Sequence, residues 1–133
     1  ASALAAVSRI SVAALSSSAG LSERARIEAA INDNIQAMQK EDSYYTDTWI
    51  NENEGERALQ NACINPPEAL SNHLQTIAPE PRLASITRTF DISSIPGILR
   101  IVYNFEGPEQ QVKEEKRIIE MTPNFGAKCY STR

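Results

Sequence analysis

The apolar positions of the first forty or so residues predict one long helix whose two halves differ in pattern. Between Ala1 and Gly20 the apolar side chains scatter over roughly 200° of a helical wheel, so no single face is apolar. These side chains are Leu4, Val7, Ile10, Val12 and Leu15. In the second half, four apolar side chains fall within about 80° of each other. They are Ile27, Ile31, Ile35 and Met38. The second half of the helix is therefore expected to pack against a hydrophobic core along one face.

The length of this helix predicts an arm that extends beyond the folded domain. About 40 residues of helix span roughly 60 Å, about twice the diameter of a domain of this size. We expect residues 1–20 to form a projecting assembly arm and residues 21–133 to form a globular domain. Ala and Ser dominate the arm, and Arg9 is its one charged residue. Such an uncharged start predicts a more hydrophobic, membrane-spanning segment upstream, and an apolar projecting helix needs partners.

Between Ala84 and Met121 the apolar residues alternate with polar ones instead of recurring at helical spacing, which predicts an antiparallel meander of three or four strands. One face of the first strand carries Ile86, Phe90 and Ile92, and one face of the next carries Leu99, Ile101, Tyr103 and Phe105. Pro96-Gly97 between them has the sequence of a type II turn. In that register Ile92 opposes Ile101 and Phe90 opposes Tyr103, so the apolar faces coincide.

A third strand is predicted from about Val112 to Met121, after a turn at residues 106–109. Val112 and Ile119 have opposite parity, so either a bulge intervenes or the charged stretch 113–117 lies beyond the core. A sheet with one apolar face and a helix with one apolar stripe can cover each other. The predicted fold class is thus α+β, with the N-terminal helix packed on the meander.

The segment from Ser43 to Pro81 predicts an irregular connecting region with two short helices, near residues 54–63 and 67–77. It begins with an acidic stretch, which we interpret as an exposed loop. Three aromatic residues at its start, Tyr44, Tyr45 and Trp49, are expected to pin that loop to the domain. His73 is expected at the surface of the second short helix.

Cys63 and Cys129 are the two cysteines of the chain, and neither lies in a CxxC motif or beside the single histidine. The pattern favours one structural disulfide over two free thiols. A bond between them would close a loop of about 66 residues and contribute roughly 4 kcal/mol in the chain-entropy model. It would also imply an oxidising compartment.

Charge and motif content argue against two function classes. The net charge of −4 disfavours a dedicated nucleic-acid binder. Several Arg and Lys residues fall on the predicted strands, so DNA stays a possible partner, but Arg88 and Arg100 lie on opposite faces in the predicted register and we interpret these residues as solvated strand charges. The chain has no GxSxG, HExxH or Gly-rich phosphate loop. We therefore expect no enzyme, no catalytic or metal site and no cofactor.

The whole arrangement resembles the type IV pilins, and minor pilins of cyanobacteria in particular. The stretches that carry the resemblance are residues 23–32, Asp42-Ser43-Tyr44, and the ending from Pro123-Asn124-Phe125 to Cys129-Tyr130. The family's prepilin motif, a Gly/Phe start with a glutamate at the fifth mature position, is missing from this sequence. No residue of that motif is therefore carried over.

The resemblance implies a structural subunit of a pilus at the cell surface. In that family the hydrophobic helix first anchors the subunit in the inner membrane, with the domain in the periplasm, and then bundles with other pilin subunits. Motility, adhesion and DNA uptake are the processes such a pilus serves. Two alternatives stay open: a pseudopilin of a type II secretion system, and a soluble oligomeric binding module. The first lacks support from an Asp/Asn calcium cluster near Cys129, and the second from a/d heptads in the arm.

Overall fold

The protein is an α+β chain with a long N-terminal helix and a three-stranded antiparallel sheet. The computed structural model describes the backbone of residues 2–108 and 113–131, and the side chains of residues 21–108 and 113–130. Helix α1 spans Ser2–Tyr44 and is followed by α2 (Asp47–Glu54), α3 (Glu56–Ile64) and α4 (Pro66–Ile77). The strands are β1 (Thr87–Asp91), β2 (Leu99–Phe105) and β3 (Glu115–Met121). A 3₁₀ helix (Asn124–Ser131) ends the described chain.

The apolar stripe of α1 faces the core, as its spacing predicts. Ile27, Ile31 and Met38 are buried, and Ile35 is half-buried against them. Residues 30 and 34 complete the same face, and they are Ala and Asn rather than large apolar residues. Leu21, at the start of this half, is 64% exposed, and Ile27 is the first buried residue of the helix among the side chains that the structure describes.

The sheet is a meander in the order β1-β2-β3. Strand β2 lies in the centre and alternates fully, with Leu99, Ile101, Tyr103 and Phe105 buried on one face. Its register brings Ile101 opposite Phe90 of β1 and Ile119 of β3. The inner face of the sheet thereby meets α1, in the arrangement that the two patterns predict.

The register of the first hairpin differs from the predicted one by two residues. Phe90, not Ile92, lies opposite Ile101, and Arg88, not Phe90, lies opposite Tyr103. The reason is the side chain of Asp91, which accepts hydrogen bonds from the backbone N–H groups of Ser93 and Ser94 at 2.9 and 3.2 Å. This Asx turn ends β1 at Asp91 and directs the chain out of the sheet.

The Pro96-Gly97 turn forms, but it lies within a longer loop instead of joining the strands directly. Ile98 donates its N–H to the Ile95 carbonyl at 3.2 Å, and Gly97 has a φ of 79°, as the third position of a type II turn requires. A shift of two residues keeps every side chain on its predicted face, because side chains alternate with a period of two. The inner face of the sheet was therefore predicted correctly while the pairing was wrong.

The connecting region is more helical than predicted. The acidic stretch that we interpreted as a loop contains α2, which Thr46 caps by accepting the Trp49 N–H at 3.0 Å. Gly55, with a φ of 100°, separates α2 from α3 and donates its N–H to the carbonyls of Ile50 and Asn51. That φ favours glycine, so the break between the two helices is local in origin. Helices α3 and α4 lie close to the positions predicted for the two short helices.

Cys63 of α3 and Cys129 of the 3₁₀ helix form a disulfide with a Cα–Cα distance of 5.4 Å. This is the pairing favoured by the sequence. Phe125 of the same 3₁₀ helix is 1% exposed and packs in the core. We call Cys63, Cys129 and this 3₁₀ helix the disulfide end of the domain. The C-terminal segment is therefore held to the connecting helices both covalently and by burial.

Candidate functional site

The predicted assembly positions on the first half of α1 lie outside the side chains that the structure describes. They are Leu4, Val7, Ile10, Val12 and Leu15, and their backbone belongs to α1. Among the residues that the structure describes, no helix combines the length and the mean hydropathy needed to cross a membrane. Within the same residues, no three His, Cys, Asp or Glu side chains converge as metal ligands would.

A buried polar network joins the second half of α1 to the sheet, and the sequence reasoning missed it. Asn34, which is 5% exposed, accepts hydrogen bonds from Arg88 at 3.0 Å and from the Tyr103 hydroxyl at 2.7 Å. Its own amide donates to the Pro79 carbonyl at 2.7 Å, and Arg88 donates to the same carbonyl at 2.6 Å. Every described polar function of the Asn34 side chain is thus used to hold three segments together.

Arg88 supplies the charge of this network. The sequence interpretation treated it as a solvated strand charge, but its side chain is 1% exposed, so that interpretation was wrong. Glu80, at the rim, lies 3.6 Å from the guanidinium, and the Phe90 ring centroid lies 5.2 Å from it. Burial raises the pKa of Tyr103 to about 12, with Arg88 opposing that rise. The hydroxyl therefore stays protonated and donates to Asn34 at any physiological pH.

A second link between helix and sheet is an ion-pair cluster of Arg24, Glu28, Glu115 and Arg117. Arg24 donates to Glu115 at 3.0 Å, and Arg117 pairs with Glu28. Arg117 also lies 3.6 Å from Glu115, so the four charges alternate in sign around the contact. The charged stretch at the start of β3 thus lies over α1, not beyond the core. Val112, whose parity raised the question, lies outside the described residues.

The aromatic residues expected to pin the connecting region divide between core and surface. Tyr45 is buried, and its ring stacks on His73 with centroids 4.1 Å apart and an interplanar angle of 12°. The Trp49 ring meets His73 edge-on at 5.2 Å, and Phe125 meets Tyr45 edge-on at 5.2 Å. Tyr44, by contrast, is 57% exposed. His73, predicted as a surface residue, is half-buried within this stack.

The protonation of His73 follows from its position in the stack. Burial lowers the pKa of the imidazole, and the carboxylates of Glu54 and Glu41 oppose that change. Burial also raises the pKa of the Tyr45 phenol to about 12, with Glu54 adding to the rise. The stack is therefore uncharged at neutral pH.

Two open grooves have His73 in their linings, and we call them the first and second His73 grooves. The first, of about 610 Å³, lies between α3 and α4, with Ala58, Ala62 and Ala69 among its lining residues and Glu54 and Glu68 contributing charge. The second, of about 590 Å³, lies between the end of α1, α2 and α4. Its lining includes Tyr44, Trp49, Ile77, Glu41 and Glu52. Among the described residues, no Lys or Arg lines either groove.

No protein-family model matches this chain, and neither a curated protein nor a solved structure shows significant similarity to it. The candidate site is therefore defined by the residues of this chain alone. It has three parts: the first half of α1, the disulfide end of the domain and the two His73 grooves.

Proposed function

We propose that this protein is a minor pilin, a structural subunit of a type IV pilus that enters the filament through the first half of α1. The observation that carries the proposal is the length of α1 compared with the size of the domain on which its second half packs. In the second half of α1, Arg24 and Asn34 form hydrogen bonds to the sheet, and Ile27 and Met38 are buried in the core that includes strand β2. A helix of 43 residues spans about 64 Å, whereas a domain of about 100 residues has a radius of gyration near 13 Å.

The residue types of the first half support a role in helix packing. Thirteen of the first 20 residues are Ala or Ser, and Arg9 is the one charge among them. Small side chains let helix backbones approach closely, which is how helices associate where apolar burial alone gives no drive. A filament core built from such helices gains its stability from close packing.

The disulfide end supports a role outside the cell. The Cys63–Cys129 bond fixes the C-terminal segment to α3, and disulfides of this kind persist in oxidising environments. The inner membrane and periplasm before assembly, and the pilus surface after it, are the locations this proposal assigns. Other pilin subunits are the partners it assigns, and it assigns no cofactor and no catalytic activity.

The test places charge in the arm of the full-length protein in its own cell. In the Val7→Lys/Ile10→Lys variant, two ammonium groups would enter a tightly packed helix bundle with neither water nor a counter-ion. We expect the variant to accumulate in the cell envelope and to be absent from filaments sheared off the surface. An immunoblot of the sheared and cell-bound fractions measures both amounts.

The matched control adds the same two charges on the outer face of the sheet, as Thr87→Lys/Thr89→Lys. Both threonines are exposed, so this variant should enter the sheared filaments at the wild-type level. Equal incorporation of the arm variant and the control would overturn the filament proposal and favour the soluble module. If the wild-type protein is absent from the sheared fraction and the arm variant abolishes the secretion of other proteins by the cell, the result would favour the pseudopilin.

A further inference from the structure

The two His73 grooves share the His73 side chain and an acidic lining, and no described Lys or Arg lines either of them. Their carboxylates are Glu54 and Glu68 in the first groove and Glu41 and Glu52 in the second. None of these four takes part in an ion pair within the described part of the chain. Because the His73 imidazole between them is kept neutral by its burial in the stack, it adds no positive charge to offset them. An occupant with positive charge would therefore complement both grooves.

The second groove also offers aromatic surface to such an occupant. Tyr44 is 57% exposed there, and Trp49 forms part of the same lining. The chain itself places a cation on one of these rings, since the Lys40 ammonium lies 5.9 Å from the Tyr44 ring centroid. Ring faces attract ammonium and guanidinium groups at this range. The groove thus combines carboxylates and ring faces, which are the two features that recognise Lys and Arg side chains.

We propose that the two His73 grooves form one docking surface for an extended, Lys- and Arg-bearing segment of a partner protein. Two grooves of about 600 Å³, each with its own pair of carboxylates, suit two cationic side chains of one chain that passes over His73. Both grooves are open, so they suit side chains of a polypeptide better than a small molecule, whose sites bury most of the ligand. The surface is separate from the helix arm, and this inference does not depend on the filament proposal.

The probe for this surface is tetra-arginine amide, and the reporter is Trp49, the one tryptophan of the chain. Titration of the purified protein should change the Trp49 fluorescence in a saturable way. The change should weaken as ionic strength rises, because exposed charges are screened. Tetracitrulline amide, which has the same shape without the charge, should give no saturable change. Absence of saturation with tetra-arginine, or equal binding of tetracitrulline, would overturn the proposal.

Paired substitutions in each groove locate the binding site. The Glu41→Gln/Glu52→Gln and Glu54→Gln/Glu68→Gln variants keep side-chain size and should each raise the Kd for tetra-arginine by about fivefold, the loss expected for two exposed ion pairs. Tyr44→Leu removes the ring without changing charge and should raise the Kd by about threefold. Circular dichroism confirms that each variant is folded before it is titrated.

The matched control removes two carboxylates elsewhere, as Asp33→Asn/Glu114→Gln. Both residues are exposed, and neither lines a groove, so the Kd should stay at the wild-type value. A control variant that weakens binding as much as the groove variants would show attraction by net charge alone and would refute a defined surface. Sedimentation of the wild-type protein gives a further check. Self-association that the groove variants abolish would identify a second copy as the occupant and refute a foreign segment.

Discussion

Replacing Asn34 by alanine should destabilise the protein by about 3 to 5 kcal/mol, although the change removes no apolar surface. The amide is 5% exposed and makes three hydrogen bonds, to Arg88, Tyr103 and the carbonyl of Pro79. In alanine all three are lost at once. The protein is expected to have about 5 to 15 kcal/mol of stability in total, so this loss is a large share of it.

The magnitude follows from what each partner of Asn34 keeps. The bond to a charged donor is worth about 1.5 to 3 kcal/mol, and Arg88 retains the Pro79 carbonyl and Glu80 as partners. The Tyr103 residue is fully buried, so its hydroxyl would be left without its described acceptor, at about 1 to 3 kcal/mol. The Pro79 carbonyl keeps its hydrogen bond from Arg88, so the loss of its bond from Asn34 adds little. The two larger contributions sum to about 2.5 to 6 kcal/mol, and the stated loss of about 3 to 5 kcal/mol is the middle of that range.

Urea unfolding followed by Trp49 fluorescence and by circular dichroism measures the change. The slope m should not alter, because the surface exposed on unfolding stays nearly the same. Asn32→Ala, an exposed position on the same helix, is the matched control and should change stability by no more than about 0.5 kcal/mol. It reports the helix propensity of the same substitution without the buried network.

A double-mutant cycle with Tyr103→Phe separates the network from general disruption. Tyr103→Phe alone removes one donor and leaves the Asn34 oxygen bonded to Arg88, so it should destabilise by about 0.5 to 1.5 kcal/mol. In the Asn34→Ala background the same change should be nearly neutral, because the hydroxyl has already lost its acceptor. A loss below about 1 kcal/mol for Asn34→Ala, or strict additivity in the cycle, would refute the reasoning.

Two further predictions concern the disulfide and the aromatic stack. Reduction, or the Cys63→Ser/Cys129→Ser variant, should lower the free energy of unfolding by roughly 4 kcal/mol, as expected for a 66-residue loop; a melting temperature equal to that of the oxidised protein would contradict this. The pKa of His73 lies below its usual 6.5, so the unfolded chain takes up a proton first as pH falls through that value, and stability should decrease from there to the folded pKa. His73→Phe removes the one imidazole of the chain and should remove that decrease, which urea unfolding at a series of pH values would detect.

The sequence was most informative where one periodicity and one burial requirement coincide. The stripe of Ile27, Ile31 and Met38 predicted the buried face of α1, and strict alternation predicted the buried face of β2. Both depend on a burial pattern that repeats along an element. The burial pattern does not determine the pairing register, because a shift by any even number of residues leaves each side chain on the same face of the sheet. A local cap at Asp91, not the hydrophobic pattern, decided it.

The polar network was missed although a signal for it was present. Arg88 has the same parity as Ile86 and Phe90, so alternation alone places it on the inner face of β1. Asn34 lies at helical spacing between Ile31 and Met38. Two polar residues on facing apolar surfaces should have suggested that they meet. Their exact partners, including the Pro79 carbonyl, depend on the path of a loop and could not have been predicted.

The candidate grooves depended on an element that the acidic composition concealed. Glu52 and Glu54 suggested a solvated loop, while Thr46 as a cap and Gly55 as a terminator give an eight-residue helix there. The stack of Tyr45 on His73 joins segments 28 residues apart, and no local pattern encodes that contact. The role of residues 1–20 stays a prediction from their composition.

The disulfide has a mechanical consequence for a protein pulled by its two ends. Force applied through α1 and the C-terminus passes across the Cys63–Cys129 bond, so the segment between these cysteines, whose sequence separation is 66, carries no tension. A fully extended segment of that length would add about 220 Å, and the oxidised chain cannot release it. The sheet, α4 and the end of the connecting region lie inside this closed loop. Under load the molecule can therefore lengthen through α1, α2 and most of α3, while the sheet keeps its contour locked behind one covalent bond.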